Sequence, residues 1–555
     1  MALMRATALL RRCLAAATLP CLLWTPFAAW SLPGDAERDA QAEIDRLEKA
    51  GASIRAIHVH TGDIFDLDNP AENNALFRLA NWLHIETRPE LVRRALLFRE
   101  GQRLSRQRIE ETERQLRNLR FLYDVQIRAI AVDGNQADIE VRTRDTWSLN
   151  ASASGSRAGG ASKTSVEISE VNFLGSGTSI GLAHKSDFER KGRQWEIGHP
   201  RLLDGHTELR LLSGSFNDGS RRYASLIRPF ESLDGRWSAG VQWDDQDRID
   251  SRYEAGELVA EYRRRARRGE LLGAISGGLI DGTTRRIGAG FLLADDHYRL
   301  EPGRTPPLEL PVDQNTRAPF VRLEWLEDRF LRTSNRDLIG RPEFLDMGTS
   351  VRLQVARSVR AFGATRADWL LEGAVRRGFE PRDGHNLLVQ GAVARRPAST
   401  GSAYELFSAQ ARYFVPQGGN WLLYSSAALD WNRNGGRADQ YYLGGNNGLR
   451  GYPARYLSGQ RRALATIEQR YYSDAYPFRL FRVGAVAFLD AGRAWGGTSA
   501  TAANRGWLAD AGFGLRISLD RAAFANVLHL DVARPLRSRE GIKSHQFLAR
   551  TEFNF

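Results

Sequence analysis

From Trp147 to Phe555, apolar and polar residues alternate in segments of about ten, separated by turn residues. A period of two marks β-strands, and about ten residues is the length of a strand that crosses a bilayer at a tilt. Val351, Leu353 and Val355 alternate with Arg352, Gln354 and Ala356. Trp507, Ala509, Ala511, Phe513, Leu515 and Ile517 alternate with Leu508, Asp510, Gly512, Gly514, Arg516 and Ser518. The last segment puts Phe547, Ala549, Thr551, Phe553 and Phe555 on one face. A soluble sandwich alternates in the same way, so periodicity alone leaves both architectures open. The span holds 409 residues. At about 25 residues per strand and connection, it predicts about 16 strands, an even number as in bacterial barrels.

The first quarter has a different texture. Asp35 to Ala50 predicts a polar helix or flexible leader. Residues 52–146 predict a compact α+β unit. Ile54, Ile57 and Val59 open a strand, and Asn69 to Glu86 is an irregular or helical insertion. Thr87-Arg88-Pro89-Glu90 has the form of a capping box with proline in the first turn. Ser105 caps a second helix carrying Ile109, Leu116 and Leu119. Phe121–Ile130 and Ala137–Arg144 then form a hairpin around Asp133-Gly134.

Composition narrows these alternatives. Mean hydropathy is −0.42 and 26 % of residues are charged. After residue 31 no apolar run reaches the roughly 18–20 residues a spanning helix needs. Arg5, Arg11 and Arg12, the apolar run Cys13–Ala29, and Ala29-Trp30-Ser31 read as a secretory signal peptide cut near Ser31. Cleavage takes three of the twelve net positive charges and both cysteines, Cys13 and Cys21. An exported, cysteine-free chain fits the periplasm or outer membrane and argues against nucleic acid as a partner. The signal peptide and aromatic last strand favour the membrane barrel over the sandwich. The expected order is signal peptide 1–31, leader 32–51, α+β domain 52–146 and barrel 147–555.

Leu443-Gly444-Gly445-Asn446-Asn447-Gly448-Leu449-Arg450-Gly451-Tyr452 is a folded-back loop with one arginine and one aromatic at its tip. A strand containing Glu468 follows, then Phe488-Leu489-Asp490-Ala491-Gly492. This set resembles the two barrel signatures of the BamA/TamA superfamily of outer-membrane assembly and secretion barrels, the bacterial surface antigen family. Residues 52–146 resemble its periplasmic POTRA domain through Phe98-Arg99-Glu100-Gly101, Leu104-Ser105, Leu116-Arg117-Asn118-Leu119 and Phe121-Leu122-Tyr123-Asp124-Val125. Asn172–Gly177 resembles the family's first periplasmic turn, and Asp531–Leu536 the end of its penultimate strand. The resemblance implies that the sixth extracellular loop folds into the lumen. Arg450, within Gly444, Gly445, Gly451 and Tyr452, would pair with Asp490 of the Phe488–Gly492 motif, and Glu468 is the second candidate acid. It further implies that Phe547, Phe553 and Phe555 act as a sorting signal.

The expected fold is thus a membrane all-β barrel of about 16 antiparallel strands behind one periplasmic POTRA-like domain. The expected function is outer-membrane protein insertion or translocation; a passive channel or structural barrel on the same scaffold is the alternative. Partners would be unfolded outer-membrane or secreted clients, membrane lipid and lipopolysaccharide, and periplasmic chaperones. No cofactor, metal or enzymatic activity is expected. The pair His58 and His60 lacks a third ligand nearby. Glu324 and Asp328 lack a Ser/His companion. Arg263–Arg268 reads as a solvated hairpin end with a possible affinity for lipid phosphates. Arg352, Arg360, Arg516 and Arg550 are expected to face the lumen. Ala, Ser and Gly between Trp147 and Gly155 make the seam with Lys543–Phe555 the expected weak point.

Overall fold

The computed structural model describes residues 35–552, apart from 159–160, 187–189, 203–204, 255–256, 397–402, 435–439, 497–505, 524–526 and 538–541. The signal segment and the terminal Phe553 and Phe555 lie outside the described residues. No described helix is long and apolar enough to cross a membrane, so any crossing falls to strands.

The N-terminal unit runs α1 (Asp35–Lys49), β1 (Ser53–Gly62), α2 (Ala75–Leu83), α3 (Pro89–Arg94), α4 (Arg106–Arg117), β2 (Leu122–Asp133) and β3 (Gln136–Asp145). β3 lies in the centre, parallel to β1 and antiparallel to β2. The leader helix joins this unit: its Ile44 and Leu47 enter a core with Ile54, Phe98, Leu116, Phe121 and Val141. Ser105 caps α4, accepting from the Arg108 N–H. Thr87 does not cap α3. Its N–H and hydroxyl both donate to Asp145 Oδ2, at 2.7 and 2.9 Å, and Arg88 takes the cap position without a side-chain bond. A buried carboxylate accepts a stronger, charge-assisted bond than the helix end would offer.

From Leu149 to Glu552 twenty strands form one antiparallel sheet, with neighbours in chain order. The count corrects the expected 16. The 409 residues leave about 20 per strand and connection, because turns at one mouth are short, such as Leu174–Gly177 and Asp281–Gly282. Large apolar side chains point outward on alternate positions, among them Leu271, Ile275, Val351, Leu353, Val355, Leu489, Phe513 and Phe547. Among the described residues, the sheet's two ends meet at a single paired position, Ala549 with Arg157. Elsewhere adjacent strands share at least seven paired positions.

The wall is uneven. Strand 257–280 has 24 residues and its neighbours 237–254 and 283–300 have 18 each. At about 3.3 Å per residue the longest is about 80 Å, far beyond what a bilayer requires. Pairing of 219–228 with 237–254 stops at Ser220–Asp247, whereas 237–254 stays paired with 257–280 up to Glu254–Glu257. Arg263–Arg268 therefore lies in mid-strand, at the level where this extension begins, not at a hairpin end. Arg263 bonds Glu301 and Asp247, Arg264 bonds Asp296, Arg265 bonds Asp245, and Arg268 bonds Asp296.

The N-terminal unit sits on the opposite mouth. Arg114 reaches Asp328 and Arg108 reaches Asp234, both at 3.3 Å. Glu111 accepts from the Leu233 N–H, and burial pushes its carboxyl pKa up. Arg521 bonds Glu72 at 2.7 Å and covers the Tyr123 ring at 3.9 Å. Beneath the unit, a hairpin pairs Phe330–Ser334 with Pro342–Asp346 and folds across the mouth. Its tip packs Ile339 against Phe414, Leu422, Tyr472 and Val527. Asp337 meets Arg412 at 3.0 Å, and Arg470 donates to the Arg336 carbonyl at 3.0 Å. A cavity of about 810 Å³ remains between α4, this hairpin and strands 386–396 and 404–416.

Candidate functional site

The long loop after strand 421–433 turns back into the barrel at the mouth away from the N-terminal unit. Its stem is a short ladder, Tyr441–Leu443 with Leu457–Gly459. Leu443, Leu449, Tyr452, Tyr456 and Leu457 are buried with Ala494 and Leu508 of the wall. Gly444 adopts φ +123°, and a Cβ there would overlap the Pro453 carbonyl. Gly445 is buried, and its N–H donates to the Tyr452 carbonyl at 3.0 Å. Gly451 lies so close to the wall that a Cβ would stand 2.6 Å from Asp510 Cβ and 2.9 Å from Pro535 N. Tyr452 is fully buried and its hydroxyl donates to the Ala509 carbonyl at 3.2 Å.

These constraints deliver Arg450 to the inner wall. Its Nε donates to Asp490 Oδ2 at 2.7 Å and its Nη2 to Asp490 Oδ1 at 2.9 Å, a bidentate fork. Its Nη1 donates to Glu468 Oε1 at 2.9 Å and to Asp531 Oδ2 at 3.4 Å. The guanidinium carbon lies 3.4 Å from the centre of the Phe488 ring, in cation–π geometry. Arg470 donates to the other oxygen of Glu468 at 2.8 Å, Arg516 to Asp531 at 2.6 Å, and Thr466 to Asp490 at 2.8 Å. Three guanidiniums and three carboxylates thus form one buried cluster, with Asp510 against Asp490 at its edge. Burying such charges is costly unless each is paired, and here the pairing joins one loop to strands 461–472, 481–495, 508–519 and 527–535.

The structure therefore brings Arg450, Asp490 and Glu468 together, with Gly444, Gly445, Gly451 and Tyr452 shaping the approach. Gly492 lies beneath Leu443, whose Cδ1 a Cβ would meet at 3.1 Å. Phe547 stands apart, exposed on the outer face. Asp531, Arg470 and the platform role of Phe488 were not legible. Alternation along 527–535 puts Asp531 inward, but only register shows that it reaches Arg450. The loop's far side also crosses the lumen, where Arg455 covers the Tyr253 ring of the tall strand 237–254 at 4.2 Å. With fifteen strands before it, this is the eighth loop on its side, not the sixth; two further hairpins lie upstream.

Other candidates sit in ordinary pairs. His58 and His60 stand 3.8 Å from Asp138 and Glu140, and no group of three or more metal-ligating side chains occurs among the described residues. Glu324 bonds Arg352, and Asp328 meets Arg114. Arg516 and Arg352 face inward, Arg352 opposite its partner Glu324, and Arg360 lies in a turn, not on a strand. Arg550 shares the alternation of the buried Gln546 and Leu548 and pairs across the ladder with His529.

An apolar exterior, a charged interior and a loop clamped inside define an outer-membrane β-barrel. Residues 376–555, which contain the loop and every strand of the Arg450 cluster, match the Omp85 superfamily domain. The family match thus covers the C-terminal 180 residues of the chain, the part that carries the luminal loop. No curated protein matches the sequence. Among solved structures, CdiB from Escherichia coli is 14% identical (98% of this chain, 95% of that chain, TM-score 0.48). CdiB from Acinetobacter baumannii is 12% identical (98% and 96%, TM-score 0.43). BamA from Haemophilus ducreyi lacking POTRA domains 1–3 is 14% identical (89% and 84%, TM-score 0.39).

Proposed function

We propose that this protein inserts client proteins into the outer membrane or passes them across it, with its N-terminal unit in the periplasm and no catalytic chemistry of its own. The observation that carries the reading is the loop anchored by Arg450, because a clamp of this kind fixes one half of the wall. The other half can then move at the junction of strands 149–158 and 546–552, where a single position is paired among the described residues. Clients would add a strand to the N-terminal sheet. Its order leaves β1 and β2 as edges and β3 in the interior, so 136–145 drops out as a docking strand. Membrane lipid and lipopolysaccharide would surround the barrel, and periplasmic chaperones would deliver the client.

Locking the junction tests this. Arg157 and Ala549 are direct partners, and facing Cα atoms in an antiparallel pair lie about 4.5–5.5 Å apart, within disulfide reach. The R157C/A549C protein, oxidised in liposomes, should lose client insertion and regain it on reduction. Unchanged insertion in the oxidised state would overturn the lateral route. Free ion conduction with no insertion of any client would favour the passive channel instead, against the hairpin and domain that cover one mouth.

A further inference from the structure

α2 is apolar on two faces, and the fold uses only one. The inner face holds Phe77, whose ring stacks on Phe65 at 3.8 Å, with Ala80 beside it. Asn81 clamps the Phe65 backbone, accepting from its N–H at 3.1 Å and donating to its carbonyl at 2.8 Å. Asn74 caps the helix by accepting from the Phe77 N–H. At 100° per residue, the other face gathers Leu76, Leu79, Trp82 and Leu83 in one stripe. They are 62 %, 51 %, 78 % and 56 % exposed. No acidic residue lies in the helix.

The position of α2 says what covers this stripe. The apolar cluster that holds its inner face, with Ile64, Phe65 and Phe77, also takes in Trp147 and Leu480. Trp147 precedes the first barrel strand by two residues, and Leu480 directly precedes strand 481–495. The turn before that strand carries Phe478, 79 % exposed. At the same mouth, Trp421 and Tyr471 pack with ring centres 4.9 Å apart. Outward-facing aromatics at a barrel's rim form the girdle that sits at the headgroup level. α2 therefore adjoins the barrel's lipid-facing band, and helices with Trp and Leu on one face lie in that boundary.

We propose that α2 is an interfacial anchor: Leu76, Leu79, Trp82 and Leu83 dip into the leaflet on the N-terminal unit's side and hold that unit against the membrane plane beside the barrel. This rests on the barrel being embedded in a membrane. An unfolded client or a second copy could cover the same stripe, and each gives a different result in the test.

The test uses the full chain with Cys13 and Cys21 replaced by alanine and single cysteines at Trp82, Leu79, Leu489 or Asp133. Each carries an environment-sensitive fluorophore in phosphatidylethanolamine/phosphatidylglycerol vesicles with a lipid-borne quencher. Leu489 faces outward in mid-strand, and Asp133 sits at the exposed β2–β3 turn. The expected result is blue-shifted, quenched emission at 82 and 79 as at 489, with 133 water-like and unquenched. Water-like emission at 82 and 79 with quenching at 489 overturns the anchor and leaves the barrel reading intact. Water-like emission at 489 overturns the embedded barrel and the anchor with it. Shielding that appears only with added unfolded client, or only at high protein-to-lipid ratio, assigns the stripe to client or second copy and likewise overturns the anchor.

Discussion

Arg450→Ala is the most direct probe of the luminal clamp. Truncation removes both arms of the fork to Asp490, the 2.9 Å bond to Glu468 and the stack on Phe488. Glu468 keeps Arg470, and Asp531 keeps Arg516. Asp490 keeps the Thr466 hydroxyl and the neighbouring Asp510 carboxyl but no cation among the described residues, so the loss falls on one buried carboxylate. Removing one partner of a buried ion pair costs about 3–5 kcal/mol. The strand ladders hold the barrel, so that cost should appear as undocking of the loop. At about 1.4 kcal/mol per decade, the docked state should weaken by about 10²- to 4 × 10³-fold. Hydrogen exchange reads this at the Gly444, Gly445 and Tyr452 N–H groups, which donate to Gly448, Tyr452 and Leu449 carbonyls within the loop. Arg450→Lys keeps the charge and loses the fork, and should fall between wild type and alanine. Asp490→Asn, combined with Arg450→Ala, should cost less than the sum, since neither charge is then stranded. Unchanged protection across 441–459 in Arg450→Ala would refute the claim that this cluster holds the loop.

Gly451→Ala should unseat the same loop without altering charge, because its Cβ has no room against Asp510 and Pro535; overpacking of this kind costs about 1–3 kcal/mol, and protease sensitivity of 441–459 measures it. Arg521→Ala should loosen the N-terminal unit on its mouth by removing the bond to Glu72, which keeps only Arg144 and the Asp66 N–H from its own unit, and by uncovering Tyr123, seen as faster exchange in β1 and β2 with the barrel unchanged. Glu343 sits in the mouth-covering hairpin, where burial pushes its pKa from 4.5 up to about 7. The folded hairpin holds that proton more tightly than the unfolded chain, so its stability should fall as pH rises from 4.5 to 7 and then level off. Glu343→Gln should remove that slope in exchange rates of residues 330–346.

Much of the barrel was legible because alternation is local. Val351, Val355, Phe513 and Leu515 announce their outward face without any knowledge of their neighbours. The strand number was not, since it depends on the lengths of turns and strands, and a 24-residue strand looks like two short ones. Arg263–Arg268 read as a turn because charge runs normally end strands; cross-strand aspartates make it a ladder. Thr87 was misread for a similar reason, since Asp145 lies 58 residues away and outcompetes the local cap. At the site, Arg450 and Asp490 carry recognisable motifs. Asp531 carries none that marks its partner, and the hairpin 330–346 has no pattern that says it folds inward.

The tall strands and the single-pair junction stand nearly opposite each other around the ring. Strand 257–280 is eighth of twenty, counted from the junction. The outer rim is therefore a parapet on one flank and a low sill on the other, and Arg455 on Tyr253 ties the luminal loop to the parapet side. Such a rim has a front and a back. On the proposed function, a polypeptide emerging from the lumen would have a high, charge-paired wall behind it and shorter strands ahead, so the relief of the wall would bias its departure before any strand moved.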